Sequence, residues 1–357
     1  MSLRSCRPLP PDLESRLLKL LEESSRLRGL RRPGTVDVFE RVAYIWPHQI
    51  RIREMAGRRP FAAFNPAAMS LGGGRIAVFP RLITGYFWYT SVVGYFEARE
   101  PYGAGSEGVE VRVVLHPSDR MDLAGCEDPR VEKSGDRLYL LYTALEPLPE
   151  RVHAVNAISR QGIAVLDAAT LKVVEKNVLC IRHGDGLYEP AEWKDSALLG
   201  ASRRETWLLT RLMIRGVQAS WRGLLSMEDY TVSLETLEPV LVPEHWEYKT
   251  GWSTNAAKIS SNEYLVGWHG VGRDLVYRSG FAVFSQEGEL LAVSREYLLA
   301  PSRPEEYIGE RPGVIFGCGL IVESNRVTWV GGVADTGIGF YQADLDDIME
   351  HMVWLKP

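Results

Sequence analysis

The stretch Arg137-Leu-Tyr-Leu-Leu-Tyr-Thr-Ala144 decides the fold, because it is one of five short apolar strands that recur at a nearly constant interval. The strands begin at positions 74, 137, 206, 263 and 326, which differ by 63, 69, 57 and 63 residues. A fixed period indicates a repeat architecture, and all-β repeats about 60 residues long fit propeller blades better than helical solenoid units. The sequence therefore predicts an all-β fold, a five-bladed β-propeller.

A polar segment precedes each of these strands. These heads begin at positions 65, 128, 194, 255 and 318, which are 63, 66, 61 and 63 residues apart. Equivalent strands of a propeller converge on its axis, so side chains far apart in the sequence are expected to share one central pocket. The polar residues that occur in this phase, at the heads and at the ends of the strands, are Asn65, Arg81, Glu127, Asp128, Arg130, Lys194, Arg211, Asn255, His269 and Asp335.

Composition limits the class of protein. The 357 residues are 45% hydrophobic and 24% charged, with a formal net charge of -5, which is ordinary for a soluble globular body and does not favour nucleic acid as a partner. The first ten residues lack the apolar run of a secretory signal, and nowhere do 18 apolar residues follow one another. We therefore expect a cytoplasmic protein without a membrane partner.

The four cysteines are Cys6, Cys126, Cys180 and Cys318, and they lie far apart in the chain. No two form a CxxC pair, and no histidine stands at zinc-ligand spacing from them. This spacing favours free buried thiols, with a disulfide or a structural metal as the less favoured alternative.

An amphipathic helix is expected over residues 12–28, where Asp12 provides a cap and leucines form one stripe. This helix is expected to pack against the propeller or against a second subunit, which would give a homo-oligomer. The breaker Arg31-Arg32-Pro33-Gly34 then divides the chain into an N-terminal helical extension, residues 1–34, and a catalytic propeller domain, residues 35–357. A short terminal helix is expected near residues 345–352.

The axial set offers one strong acid candidate and several groups that bind hydroxyls. Trp88, Tyr89, Trp252 and Trp268 are candidates to flank it, since aromatic faces cover the apolar faces of sugars. An oligosaccharide is therefore the expected partner.

Several motifs, in this order, resemble glycoside hydrolase family 130, and together they span about residues 65–344. The motifs include Phe64-Asn-Pro-Ala-Ala68, Gly125-Cys-Glu-Asp-Pro-Arg-Val131, Trp193-Lys-Asp195, Trp268-His-Gly270 and Gly331-Gly-Val-Ala-Asp-Thr336. The resemblance implies a five-bladed propeller that cleaves β-mannosidic bonds with inversion, by phosphorolysis in most members and by hydrolysis in some.

The same resemblance implies roles for individual residues. Asp128 would be the general acid, which passes its proton through a hydroxyl of the bound mannose to the glycosidic oxygen. Asn65, Arg81 and Asp335 would bind the mannosyl ring. The other residues expected to bind the substrate are Arg130, Lys194 and His269.

The nucleophile stays open at this level. Phosphorolytic relatives carry a Phe-Pro-Glu-Lys-like stretch where this chain has Leu199-Gly-Ala-Ser202, so phosphate would have to be bound by Arg203, Arg204 or Arg211. Hydrolysis would instead require a second carboxylate as base. The candidates for that base are Glu192, Glu205, Glu244 and Glu247.

No cofactor is expected, and inorganic phosphate is a co-substrate only if the reaction is phosphorolysis. Two alternatives stay open. One is a propeller that binds sugar without catalysis. The other is a five-bladed furanosidase, which would call for an aspartate where this chain has Asn65.

Overall fold

The computed structural model describes residues 6–148, 157–202 and 204–355, and over these residues the chain is mostly β-strand. Two α-helices occur in this part of the chain, α1 (Pro11–Glu23) and α2 (Leu345–Glu350). Neither of them, nor any other helix in the described ranges, is long and apolar enough to cross a membrane. Short 3₁₀ helices occupy Ser24–Leu27, Pro47–Gln49, Arg53–Met55, Arg120–Asp122, Leu234–Thr236 and Pro304–Tyr307.

The strands form five successive antiparallel units, preceded by the short strands β1 (Arg7–Pro8), β2 (Glu40–Ile45) and β3 (Ile50–Ile52). The first unit contains β4 (Ala62–Gly72), β5 (Arg75–Ile83), β6 (Ser91–Arg99) and β7 (Val109–Leu115). The second contains β8 (Gly125–Ser134), β9 (Arg137–Pro147), β10 (Ala157–Asp167) and β11 (Val173–Val178). The third is preceded by β12 (Cys180–His183) and β13 (Gly186–Glu189) and contains β14 (Glu192–Leu198), β15 (Glu205–Ile214), β16 (Val217–Ser226), β17 (Thr231–Ser233) and β18 (Glu238–Leu241).

The two remaining units include strands from the ends of the chain. The fourth contains β19 (Glu247–Lys258), β20 (Glu263–Gly272), β21 (Tyr277–Ser285) and β22 (Leu290–Ser294), and it is extended by β26 (Met352–Trp354). The fifth contains β23 (Ile315–Glu323), β24 (Arg326–Val333) and β25 (Gly337–Asp344), and its outer strand is β2. The five recurring strands predicted from the sequence are confirmed as β5, β9, β15, β20 and β24.

The first strands of the five units contact one another in a closed order. β4 contacts β8, β8 contacts β14, β14 contacts β19, β19 contacts β23, and β23 returns to β4. Apolar clusters fill the space between neighbouring sheets, and the cluster of the third unit, for example, includes Leu141 of β9 and Ile163 of β10 in the second. These contacts bring together five strands that are widely separated in the sequence.

The predicted N-terminal helix is present but ends earlier than expected. Leu13, Leu17 and Leu21 are buried against the third unit, so the apolar face is covered by the chain itself. After Glu23 the last turn tightens into the 3₁₀ segment, where the Ser24 hydroxyl donates a hydrogen bond to the Leu20 carbonyl at 2.7 Å. At the other end, α2 is shorter than predicted because the chain turns back at Met352 to pair with β22.

The prediction of four free thiols is wrong for two of the cysteines. Cys6 and Cys180 form a disulfide across 174 residues of sequence, while Cys126 and Cys318 are free and buried. Strand β1, which follows Cys6, pairs in parallel with β13. Strand β13 also pairs with β12, which begins at Cys180, so the two cysteines are brought together. Sequence spacing contains no signal for such a long-range strand pairing.

Arg31 anchors the extension to the fourth unit. Its guanidinium is ion-paired with Glu247 and donates to the Val242 carbonyl at 2.7 Å, and it lies 4.7 Å above the ring of Trp268. Glu244 accepts hydrogen bonds from the Gly29 amide at 2.9 and 3.0 Å. Both carboxylates are thus occupied in holding the extension.

Candidate active site

Each first strand carries a β-bulge near its beginning, and these bulges build the site. In three units the bulge contains an Asn or Asp with left-handed backbone: Asn65 (φ 45°), Asp128 (φ 47°) and Asp195 (φ 55°). Asn and Asp tolerate this conformation better than other residues with a side chain, and a bulge redirects the side chain of its extra residue. In these three units the polar head of the sequence is therefore the point where a bulge redirects a polar side chain.

Asp128 lies at the centre of a polar group formed by the first two units. Its Oδ1 accepts hydrogen bonds from Asn65 Nδ2 at 2.9 Å and from Arg81 Nη1 at 3.2 Å. The Arg81 guanidinium is also ion-paired with Glu127, donates to Ser91 Oγ at 2.9 Å, and stacks 4.7 Å above the ring of Phe64. Three of the residues predicted for the axis, Asn65, Arg81 and Asp128, are thus brought together directly.

Asp335 reaches the same group from the turn after β24. Arg311 Nη1 lies 3.6 Å from its Oδ2, and burial raises the pKa of Asp335 although Arg311 and Arg81 oppose that shift. Burial likewise raises the pKa of Glu127, with Arg81 acting against it and Asp128 adding to it. This side of the site therefore contains carboxyl groups that retain protons more readily than carboxyls in water.

A second polar group joins the second, third and fourth units around Asp195. Its carboxylate lies 2.7 Å from Arg211 Nε and 3.2 Å from Arg130 Nη2, and all three side chains are buried. Burial opposes ionisation, but Arg211 and Arg130 outweigh it and hold the pKa of Asp195 below its ordinary value. Arg130 also donates to the Ser253 carbonyl at 2.6 Å and to the Asp128 carbonyl at 2.9 Å, so its donors are directed to protein atoms.

Lys194, Arg211 and Lys249, with Arg130 behind them, form what we call the basic cluster. Glu192 lies 3.4 Å from both Lys194 and Arg211. Lys249 lies 5.1 Å above the ring of Tyr277, and burial together with the charges of Arg211 and Lys194 lowers the pKa of Lys249 to about 7. The cluster therefore has more positive charge than its own carboxylates compensate.

His269 lies in the core beneath this cluster. Its Nδ1 is 3.1 Å from Ser253 Oγ, and its ring stacks on Tyr277 with the centroids 5.5 Å apart. Burial lowers the pKa of His269 well below its ordinary value, and the imidazole is neutral. Gly251 permits this packing, because a Cβ there would come within 2.5 Å of the His269 ring and 2.8 Å of the Arg211 side chain.

Some predicted residues lie elsewhere. Asn255 donates to the Leu320 carbonyl at 3.0 Å and accepts from the Leu320 amide at 2.8 Å, so it joins the fourth and fifth units rather than facing the centre. Trp252 and Trp268 are fully buried in the core, and the prediction that they flank a ligand is wrong. Their indole N–H groups donate to carbonyl oxygens of the protein.

Arg204, one of the arginines predicted to bind phosphate, does not join the site. Arg204 is exposed in the turn between β14 and β15, at the opposite end of these strands from Lys194 and Arg211. Its predicted role in binding phosphate is therefore wrong, while Arg203 lies outside the described residues.

Sequence reasoning missed three members of the site. Asp195 belongs to the motif Trp193-Lys-Asp195 but received no predicted role, although its bulge is equivalent to those of Asn65 and Asp128. Lys249 and Arg311 lie outside the repeat phase, and no local pattern marks them.

In the described residues, no group of three or more His, Cys, Asp or Glu side chains is arranged to hold a metal ion.

Carboxyl, amide and guanidinium groups from several repeated all-β units thus converge beside a basic cluster, and convergent polar groups of this kind define a candidate binding or active site. The sequence profile of glycoside hydrolase family 130, described as beta-1,4-mannooligosaccharide phosphorylase, matches residues 29–353. The chain belongs to this family. Its members act on β-mannosides by phosphorolysis or hydrolysis, and its phosphorylases use phosphate as co-substrate, so the predicted family and enzyme class are confirmed.

Individual relatives are distant. A 1,2-beta-oligomannan phosphorylase from Thermoanaerobacter sp. (strain X514) is 23% identical over 264 residues, which cover 71% of this chain and 81% of the relative. The structure of a beta-1,2-mannobiose phosphorylase from Listeria innocua superposes with a TM-score of 0.62 at 17% identity, over 82% of this chain and 92% of that one. The phosphate complex of MPT-4, a mannose phosphorylase from Leishmania mexicana, gives a TM-score of 0.58 at 14% identity, over 96% and 98% of the two chains.

Proposed function

We propose that residues 35–357 form a five-bladed β-propeller and that residues 1–34 form an N-terminal extension of it. We further propose that the propeller works as an inverting β-mannoside phosphorylase. The closed order of contacts among β4, β8, β14, β19 and β23 supports five blades around an axis. The extension is held by the buried leucines of α1 and by Arg31. Because its apolar face is already covered, α1 offers little surface for a second subunit.

In this proposal Asp128 is the general acid, and Asn65, Arg81 and Asp335 hold the mannosyl ring. Asn65 Nδ2 is used by Asp128, whereas its buried Oδ1 has no hydrogen-bond partner in the part of the chain that the structure describes. A buried acceptor without a donor is costly, and a sugar hydroxyl would satisfy it. Gly332 leaves the space for this amide, since a Cβ at that position would come within 2.1 Å of Asn65 Oδ1.

The observation that best supports phosphorolysis is the positive charge of the basic cluster. Arg130, Lys194 and Arg211 carry three formal positive charges against the two carboxylates Glu192 and Asp195, and Lys249, whose pKa is about 7, adds a fourth when it is protonated. Such an excess beside the acid suits a phosphate dianion, which arginine and lysine bind through charge-assisted hydrogen bonds. A phosphorylase then needs no second carboxylate, because phosphate is itself the nucleophile.

The candidate bases for hydrolysis fit less well. Glu244 and Glu247 hold the extension, and Glu205 begins β15 at the end of the third unit far from Asp128. Glu192 alone lies at the site, and there Lys194 and Arg211 both pair with it. Its oxygens are therefore engaged in ion pairs and are not free to activate a water molecule.

Phosphate dependence tests the proposal. With β-1,2- and β-1,4-linked mannobiose as substrates, we expect mannose 1-phosphate to form only when inorganic phosphate is present. Free mannose released at the same rate without phosphate would establish hydrolysis and overturn the assignment of the basic cluster. If the protein turned over no β-mannoside at all, the proposed enzymatic activity would be contradicted.

The pKa of Lys249 predicts how phosphate binding depends on pH. Burial and the charges of Arg211 and Lys194 set this pKa at about 7, so Lys249 loses its charge above that pH and must regain a proton to pair with phosphate. We expect the KM for phosphate to rise above neutral pH by up to about tenfold per pH unit from this group. In the variant Lys249→Arg the side chain stays charged over the whole pH range. Phosphate itself also titrates, but this affects both enzymes equally, so the ratio of their KM values for phosphate reports on Lys249 alone. A ratio that does not change with pH would exclude Lys249 from the phosphate site.

A further inference from the structure

An aromatic strip leads outward from the catalytic centre along the first unit. Tyr89 packs against the small apolar cluster that contains Phe64, the residue whose ring supports Arg81. The ring of Phe61 lies 6.4 Å from that of Tyr89 and 5.4 Å from that of Tyr86, so the three rings are in contact in the order Tyr89, Phe61, Tyr86. The strip therefore begins near Arg81 and ends in solvent.

The outer part of the strip is unusually exposed for aromatic side chains. Phe61 is 44% exposed and Tyr86 is 74% exposed, and both lie at the end of the unit where β4 begins and β5 ends, the same end as Asn65 and Arg81. Exposed apolar patches of this kind mark binding surfaces, because water otherwise disfavours them. Catalysis at Asp128 does not use this surface.

Tyr89 is held in place at an energetic cost. Its backbone has a φ of 53°, a left-handed conformation that is unfavourable for a bulky side chain. Burial raises the pKa of its hydroxyl, and Arg81, Glu310, Asp335 and Glu127 are close enough to act on that pKa. Tyr89 therefore lies between the charged groups around Arg81 and the exposed rings.

We propose that Phe61 and Tyr86, with Tyr89 at the inner end, form the platform on which the leaving-group side of an oligosaccharide stacks, beyond the mannosyl unit whose bond is cleaved. The proposal rests on the function proposed above. Aromatic faces cover the apolar faces of sugars. Because the strip contains three aromatic rings in a row leading away from the site, it favours a substrate longer than a disaccharide. These residues position the substrate and take no part in proton transfer.

Chain-length preference tests this platform. The wild type is compared with Phe61→Ala/Tyr86→Ala on β-mannobiose and on the corresponding trisaccharide. We expect the KM of the trisaccharide to rise about three- to tenfold relative to that of the disaccharide, with kcat little changed, because the lost stacking contacts lie beyond the bond that is cleaved. Phe61→Trp should restore the preference. Trp354→Ala removes an aromatic ring of 53% exposure on the outer strand β26 and should leave the KM ratio unchanged.

The outcomes separate this inference from the proposed function. If the wild type turns over no β-mannoside, the proposed function fails first. If the wild type is active and the KM ratio of the double variant equals that of the wild type, the platform is overturned. A change in oligomeric state by light scattering, with an equal effect on both substrates, would instead identify the strip as a contact between subunits and would also overturn the proposal.

Discussion

Asp128→Asn is expected to lower turnover of a β-mannoside roughly 10²- to 10⁴-fold, the usual contribution of a positioned general acid. Asparagine keeps an oxygen that can accept from Asn65 Nδ2 and Arg81 Nη1, so the fold and the sugar site should survive the substitution. The dissociation constant for mannose, measured by calorimetry, should therefore change little. Loss of turnover with binding intact is the signature of a missing proton donor.

The control for this substitution is Asp136→Asn, which makes the same change on a side chain that is 83% exposed in the turn between β8 and β9. It should be as active as the wild type. If Asp128→Asn retained wild-type turnover, the acid would have to be another group. If the wild type bound mannose but turned over no β-mannoside, the chain would be the non-catalytic sugar-binding propeller that the sequence left open.

Asp195→Asn is expected to lower the free energy of unfolding by about 3–5 kcal/mol, because removing one partner of a buried ion pair leaves the other charges uncompensated. The charges concerned are Arg130 and Arg211, both buried with it. Asp274→Asn is the matched control, since Asp274 pairs with Arg278 at 2.7 Å on the surface. An exposed pair of this kind should cost no more than about 1 kcal/mol. Urea denaturation of the three proteins measures both values.

The pH dependence of this difference follows from the pKa of Asp195. Burial opposes ionisation, but Arg211 and Arg130 hold the native pKa below the ordinary value. The contribution of the carboxylate is therefore complete above the unfolded pKa of about 3.9 and is lost as the pH falls through the native value. The gap between wild type and Asp195→Asn should narrow below about pH 4. Equal stability of the two proteins at neutral pH would contradict the role assigned to Asp195.

The repeat phase predicted the parts of the site that recur with it. Asn65 and Asp128 lie 63 residues apart at equivalent bulges, and in the structure they share a hydrogen bond. Arg81 could be placed in the same way, because it ends the strand that pairs with the bulged one. A polar residue at a fixed position in an otherwise apolar repeat therefore predicts a residue of the site.

The remaining features depend on contacts that no period encodes. Lys249 becomes part of the basic cluster only because charges from the third unit lie beside it, and the Cys6–Cys180 disulfide depends on a parallel pairing of β1 with β13. Trp252 and Trp268 show the opposite error, since a large aromatic residue next to a polar motif serves core packing as readily as ligand binding. Burial decides between the two roles, and burial is a property of the assembled units.

A crystal structure with mannose and phosphate tests the central claim, that side chains from all five units form one active centre. The account predicts mannose within hydrogen-bonding distance of Asn65, Arg81 and Asp335, with phosphate between the sugar and the cluster of Lys194, Arg211 and Lys249. It would be contradicted by a sugar seated instead in a peripheral groove, such as the one of about 930 Å³ between the N-terminal helical segment and Trp354, with the centre around Asp128 empty.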